Sequence, residues 1–272
     1  MREATLLGHD HTEIGRLATV AEGPAAIALS RGGAVKTYSC VDPNEDAVFF
    51  SFGPEAVLLA VADGHDGDHG SASAVKSLRD GWAERWAGSD GPVSSEDWAF
   101  EAARAVAAAN HAVLDEAAAR ALPPAPTTFA FALWRRREGV VHGASVGDSH
   151  VFYCAEHETR DLARDVSRAR KRTAFLGRGA LTHEGAAEIT VVESRPAHLL
   201  KAFLLASDGL SERGIGVEDP AAAVHEALVL GLRAEIEIRP LTVAKAVAET
   251  AMAAHRRQAA GDNIACAVAL LG

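Results

Sequence analysis

Five acidic elements of the sequence share one placement. Glu45-Asp46 stands just before the apolar run Ala47–Phe52, Asp63 closes Ala56–Ala62, and Asp148 follows Val140–Val146. Asp208 follows Ala202–Ala206, and Asp262 precedes Ile264–Leu271. Carboxylates that meet at one point repel each other and hold protons unless cations neutralise them. The donors are oxygens, without an accompanying cysteine or histidine pair, so they select hard ions such as Mg²⁺ or Mn²⁺ over zinc or copper. Two such ions about 4 Å apart make a shared water acidic and aim it in line at phosphorus. Hydrolysis of a phosphate ester is the chemistry that follows, provided the five elements converge.

Convergence depends on the elements between them. Runs rich in β-branched and aromatic residues predict strands at Val35–Cys40, Ala47–Phe52, Ala56–Ala62, Thr128–Arg135, Val140–Val146, Val151–Ala155, Ile189–Ser194, Ala202–Ala206 and Ile264–Leu271. Glu138-Gly139 reads as a hairpin turn, which favours antiparallel pairing. Alanine-rich stretches at Ser71–Trp86, Ser94–Ala121, Pro220–Leu232 and Leu241–Arg257 have the length and apolar spacing of helices. Ser95 and Asp97 look like a helix cap ahead of Trp98, Ala102, Val106 and Val113, and Pro123, Pro124 and Pro126 stop the chain afterwards. Separate strands and long helices without strict alternation predict mixed α and β layers. Strand ends can gather distant residues onto one rim, which would make residues 1–272 a single domain, with residues 1–25 as a partly ordered N-terminal extension.

Bulk properties narrow the function. A net charge of −10 argues against nucleic acid or anionic lipid as a partner. The three cysteines, Cys40, Cys154 and Cys266, form no metal or disulfide pattern and fit a reducing cytoplasm. The start of the chain lacks the apolar stretch of a signal peptide, and no apolar run is long enough to span a bilayer.

The blocks Asn44-Glu45-Asp46-Ala47, Val61-Ala62-Asp63-Gly64-His65-Asp66-Gly67, Gly147-Asp148-Ser149, Leu205-Ala206-Ser207-Asp208-Gly209-Leu210 and Gly261-Asp262-Asn263 resemble, in order, the signature blocks of type 2C metal-dependent protein phosphatases. The resemblance spans residues 26 to 271 and implies an α+β sandwich of two antiparallel sheets flanked by helices. It implies that Asp63 bridges two Mn²⁺ or Mg²⁺ ions and that the Gly64 carbonyl joins one of them. Asp208 and Asp262 then hold the first ion, and Glu45 with Asp46 serves the second, partly through water. Asp148, with Asp208, corresponds to a third, weaker site. His65 corresponds to the general acid that protonates the departing alkoxide, a task suited to a histidine. The implied substrates are proteins phosphorylated on serine or threonine by an opposing kinase.

The match departs from the family in substrate handling. Val41 stands where many members carry a phosphate-gripping arginine, and Lys36 is the candidate substitute, as a point charge. Asp66 replaces a glycine, and His150 replaces an arginine after Gly147-Asp148-Ser149. The segment between Asp148 and Leu176 is short, and its basic run Arg164, Arg168, Arg170, Lys171 and Arg172 reads as a solvated face or as a surface for acidic substrates. These departures keep open a second reading, a phosphatase fold that binds phosphoproteins in regulation without turnover.

Blander readings stand beside each feature. Asp and Gly at strand ends are ordinary turn residues taken singly. His69 reads as a solvated loop histidine, and His9-Asp10-His11 as a frayed terminus. Gly143-Ala144-Ser145-Val146-Gly147 fits the Gly-x-Ser-x-Gly elbow of a serine esterase at Ser145, but that elbow needs a helix after the turn, and Val151-Phe152-Tyr153 is strand-like.

Overall fold

Runs that are apolar at every position, such as Ala56–Ala62, need cover on both faces of their sheet. The computed structural model, which describes residues 1–88, 91–162 and 174–271, supplies that cover in four layers. The first six-stranded sheet has the order β1 (Arg2–Leu7), β4 (Ala47–Phe52), β5 (Ala56–Ala62), β6 (Phe129–Arg135), β7 (Val140–Val146) and β10 (Val191–Pro196). The second has the order β2 (Ala18–Glu22), β3 (Ala25–Ser30), β12 (Ile264–Leu270), β11 (Ala202–Ala206), β8 (His150–Cys154) and β9 (Thr159–Asp161). All neighbouring strands are antiparallel.

Side-chain alternation assigns each strand two jobs. Val48 and Phe50 of β4 and Val57, Leu59 and Val61 of β5 face Ile27, Leu29, Phe203, Leu205 and Ala267 of the second sheet, forming the central core. Phe49, Leu58, Ala60 and Phe131 face the other way, against Val75 of α1 (His69–Leu78), Trp86 of α2 (Glu84–Ala87) and Trp98 and Val106 of α3 (Ser95–Arg120). On the outer face of the second sheet, Leu204, Cys266 and Val268 meet Val224 and Leu228 of α5 (Pro220–Leu232) and Val243 and Val247 of α6 (Arg239–Gln258). A slip of one residue in any central strand would exchange these two sets, so the register is strongly specified.

The Glu138-Gly139 turn is present: Arg135 pairs with Val140, and Gly139 has φ +64°. Trp98 ties α3 to its sheet through an indole N–H donated to the Gly143 carbonyl at 2.9 Å.

Several expectations need correction. Val35–Cys40 is not a strand; Lys36 makes only an isolated parallel bridge to Gly261, because among the described residues no strand lies alongside to pair with the rest. Within residues 1–25, β1 pairs along its length with β4 and β2 pairs with β3. The cap of α3 is Ser94, which forms a capping box with Asp97, rather than Ser95. The Ser71–Trp86 helix begins at His69 and is interrupted by a π-helical turn at Arg79–Ala83. A short helix unseen in the sequence, α4 (His183–Ile189), precedes β10, which therefore starts at Val191. The basic run Arg164 to Arg172 lies outside the described residues. Among the described residues no helix is long and apolar enough to cross a membrane.

Candidate metal centre

The acidic blocks sit at the strand ends of both sheets. Asp63 follows β5 and is 5% exposed. Its backbone N–H donates to Thr128 Oγ1 at 3.2 Å, and that hydroxyl lies 2.7 Å from Ser149 Oγ, so the loops of Asp63 and Asp148 are joined. The second sheet adds Asp208 after β11 and Asp262 before β12. Gly209 presses so closely on the Asn263 carbonyl that a Cβ there would lie 1.8 Å from its oxygen, which locks these two loops together. Asn263 in turn reaches the first sheet: its Oδ1 accepts from Glu45 N–H at 2.9 Å and its Nδ2 donates to the Pro43 carbonyl at 3.0 Å.

Asp63, Asp148 and Asp208 each bring a ligand atom within 4.8 Å of the others. Asp46 is buried beside them, and neither of its oxygens makes a hydrogen bond of ordinary geometry; Asp63 Oδ2 is in the same position. Burial pushes the Asp46 carboxyl up to about 7; the Asp262 charge adds to this, while the Ser207 hydroxyl and Lys36 offset part of it. Asp63 is raised well above the carboxylate range by burial and by the charges of Asp208, Asp46 and Asp262. Asp208 is raised for the same reasons, chiefly burial and then Asp262 and Asp148. Mutually repelling carboxylates, with the buried oxygens of Asp46 and Asp63 Oδ2 unbonded, are costly in isolation and fit hard divalent cations.

Glu45 departs from the others. Its Oε1 accepts from Gly67 N–H at 2.7 Å and from the N–H groups of Val41 and Asp42 at 3.3 Å, while Oε2 meets Lys36 Nζ at 3.2 Å. It organises the surrounding loops as much as it faces the cluster. Gly64 lies on the Glu45 carbonyl, where a Cβ would come within 2.3 Å of the oxygen. Lys36 is buried, with Nζ also 3.6 Å from Asp262 Oδ1. Burial alone would lower its pKa, but Asp262, Asp46, Glu45 and Asp63 outweigh it and keep the ammonium charged.

His65 lies at the rim, its ring edge-on to Phe175 with centroids 4.9 Å apart. His150 Nδ1 is 2.7 Å from Asp161 Oδ2 and its Nε2 is 2.7 Å from Ser211 Oγ, so the residue in the family's arginine position braces the loop after Asp208. A cavity of about 210 Å³ opens here, lined by Asp148, His150, Asp208, Ser211, Glu212 and Glu218.

Sequence reasoning missed Tyr38, whose hydroxyl donates a short hydrogen bond to Asp262 Oδ1, because it lay inside a run taken for a strand. It also missed His255, and it misjudged His69, which is buried with Nε2 donating to the Pro123 carbonyl at 3.1 Å. Ser145 is a buried strand residue whose hydroxyl donates to the Ser149 carbonyl at 3.2 Å, and strand β8 follows it, so the elbow of a serine esterase is absent at this position.

Solved structures of serine/threonine phosphatases share this fold of two antiparallel sheets with helices. The catalytic domain of the phosphatase PstP, crystallised with two manganese ions, is 22% identical, with a TM-score of 0.62, covering 94% of this chain and 99% of its own. Serine/threonine phosphatase Stp1 from Staphylococcus aureus is 17% identical (TM-score 0.63; 96% and 98% covered). The serine-threonine phosphatase 2C from Toxoplasma gondii is 16% identical (TM-score 0.66; 100% and 99% covered). A search of curated proteins returned no match. The family model for protein phosphatase 2C matches residues 36–250, and the chain belongs to that family.

Proposed function

We propose that the protein hydrolyses phosphoserine and phosphothreonine in proteins with the help of Mn²⁺ or Mg²⁺. The convergence of Asp63, Asp148 and Asp208, beside buried oxygens of Asp46 and Asp63 that lack hydrogen bonds, carries this reading. When bound, a pair of divalent cations supplies an acidified water and neutralises the phosphate charge.

In this reading Asp63 and the Gly64 carbonyl would contribute to holding the cations. Asp208 and Asp262 would hold one ion and Asp46 the other, with Glu45 supporting the second through its loop contacts. Asp148 and Asp208 would form the outer, weaker site. His65 donates the proton that the departing alkoxide needs. Lys36, held beside Glu45 and Asp262 at the edge of the cluster, would offer its charge to the substrate phosphate. The cellular setting is the cytoplasm, opposite a serine/threonine kinase.

The test is phosphate release from a phosphoserine peptide by purified protein with Mn²⁺, with excess chelator, and with Asp63→Asn and Asp208→Asn. Release that needs Mn²⁺ and disappears in both variants is expected. Release indifferent to chelator contradicts the mechanism, and metal-dependent peptide binding without release favours the regulatory reading left open by Val41.

A further inference from the structure

We propose that Phe175 and Arg178 form a substrate-reading wall beside His65, and that Arg178 selects phosphoproteins with an acidic side chain close to the phosphorylated residue. This rests on the phosphoprotein reading of the site given above.

The Arg178 guanidinium lies over the Phe175 ring, Cζ 4.3 Å from its centroid, and the same ring meets His65 edge-on. The charge therefore stands one aromatic ring away from the proton donor. On an extended peptide, side chains two residues apart on one face are about 7 Å from each other, so a flanking residue reaches this distance when the phosphoresidue is at His65. Arg178 is exposed and has no carboxylate partner among the described residues. Lys36, by contrast, is held between Glu45 and Asp262. In a chain of net charge −10, a cation stacked on an aromatic ring but without a carboxylate partner among the described residues is a feature that sets partner choice.

The turn that presents Arg178 is built, not loose. Buried Asn110 of α3 accepts from Gly177 N–H at 2.8 Å and donates to the Gly179 carbonyl at 2.9 Å, bracketing Arg178 on both sides. Gly177 has φ +82°, and a Cβ there would lie 2.8 Å from Val113 Cγ1, so the turn is specific for glycine. Leu176 exchanges backbone hydrogen bonds of 3.2 and 2.9 Å with Thr127, whose hydroxyl donates to the Asp63 carbonyl at 2.8 Å. Arg178 is thereby positioned relative to Asp63 as well as His65. Stacking on Phe175 leaves the edge of the planar guanidinium free to take a carboxylate in two-point fashion.

The experiment is fluorescence anisotropy in Mn²⁺ with two peptides bearing a non-hydrolysable phosphonate analogue of phosphoserine, identical except for aspartate or lysine two residues away. Wild type is expected to bind the aspartate peptide about fivefold more tightly, the scale of an exposed charge pair. Arg178→Ala should erase the preference, Arg178→Glu should reverse it, and Arg178→Lys should keep part of it. The same ratio in wild type and Arg178→Glu overturns the inference while leaving the phosphoprotein reading intact. Failure of wild type to bind either peptide at any Mn²⁺ concentration contradicts that reading, and the inference falls with it.

Discussion

His255 Nε2 donates a 2.7 Å hydrogen bond to the carbonyl of Gly209, the residue after Asp208. Its Nδ1 is therefore the acceptor, and the N–H groups of Gly33 and Asp262 lie 3.3 and 3.5 Å from it. One buried imidazole at the end of α6 thus joins the loops leading to Lys36, Asp208 and Asp262. Burial lowers its pKa, against the pull of the Gly209 carbonyl, and so favours the neutral ring this network needs.

His255→Ala should cost about 1–3 kcal/mol in urea unfolding, because it strands buried polar groups. It should also weaken Mn²⁺ binding about tenfold by calorimetry, as loss of an outer-shell support does. His255→Gln, which can both donate and accept, should retain more of each. Unaltered Mn²⁺ affinity in His255→Ala would remove the histidine from the account of the site.

Gly209→Ala forces a Cβ to within 1.8 Å of the Asn263 oxygen, so the Asp208 and Asp262 loops must separate. We expect a folded protein by circular dichroism with Mn²⁺ affinity reduced at least about tenfold. Wild-type affinity would mean that this contact does not set the spacing of the two aspartates.

The raised carboxyls give the metal-free protein a pH signature. Asp46 has a folded value of about 7, above the unfolded value near 3.9, so the folded state binds more protons between them. Its favourable contribution is present below about pH 4 and is lost as pH rises through 7. Thermal stabilisation by Mn²⁺ should therefore be large at pH 8 and shrink towards pH 5. Asp63→Asn should raise the melting temperature of the metal-free protein at pH 8 while abolishing the gain from Mn²⁺. An increment from Mn²⁺ that is the same at both pH values would argue against carboxylates as the binding groups.

The fold was legible where periodicity and turn chemistry agreed, as in β4, β5 and the Glu138-Gly139 hairpin. It was illegible where charge masked a strand: Arg2-Glu3-Ala4-Thr5-Leu6-Leu7 is an edge strand, and its outer residues are free to be charged. Val35–Cys40 has strand composition without a neighbour to complete its ladder, which is a property of tertiary structure and not of local sequence. The acidic blocks were recognisable from Asp-Gly and Gly-Asp turns in order, and the structure brings Asp63, Asp148 and Asp208 together. Tyr38 and His255 left no such trace, because a tyrosine in a β-rich run and a histidine at a helix end become site residues only when distant loops fold onto them.

His65→Ala should lower turnover of a phosphoserine peptide about 10²–10⁴-fold, the usual range for a lost general acid. Hydrolysis of an aryl phosphate, whose leaving group departs without a proton, should fall much less. Steady-state kinetics on both substrates checks this, and an equal loss on both would assign His65 to binding or structure instead.

Anomalous diffraction from crystals soaked in Mn²⁺ reads the metal centre most directly. We predict strong peaks among Asp46, Asp63, Asp208 and Asp262, lost from crystals of Asp63→Asn. Peaks only at other surface carboxylates, with this cluster empty at saturating Mn²⁺, would contradict a metal-dependent phosphatase site here.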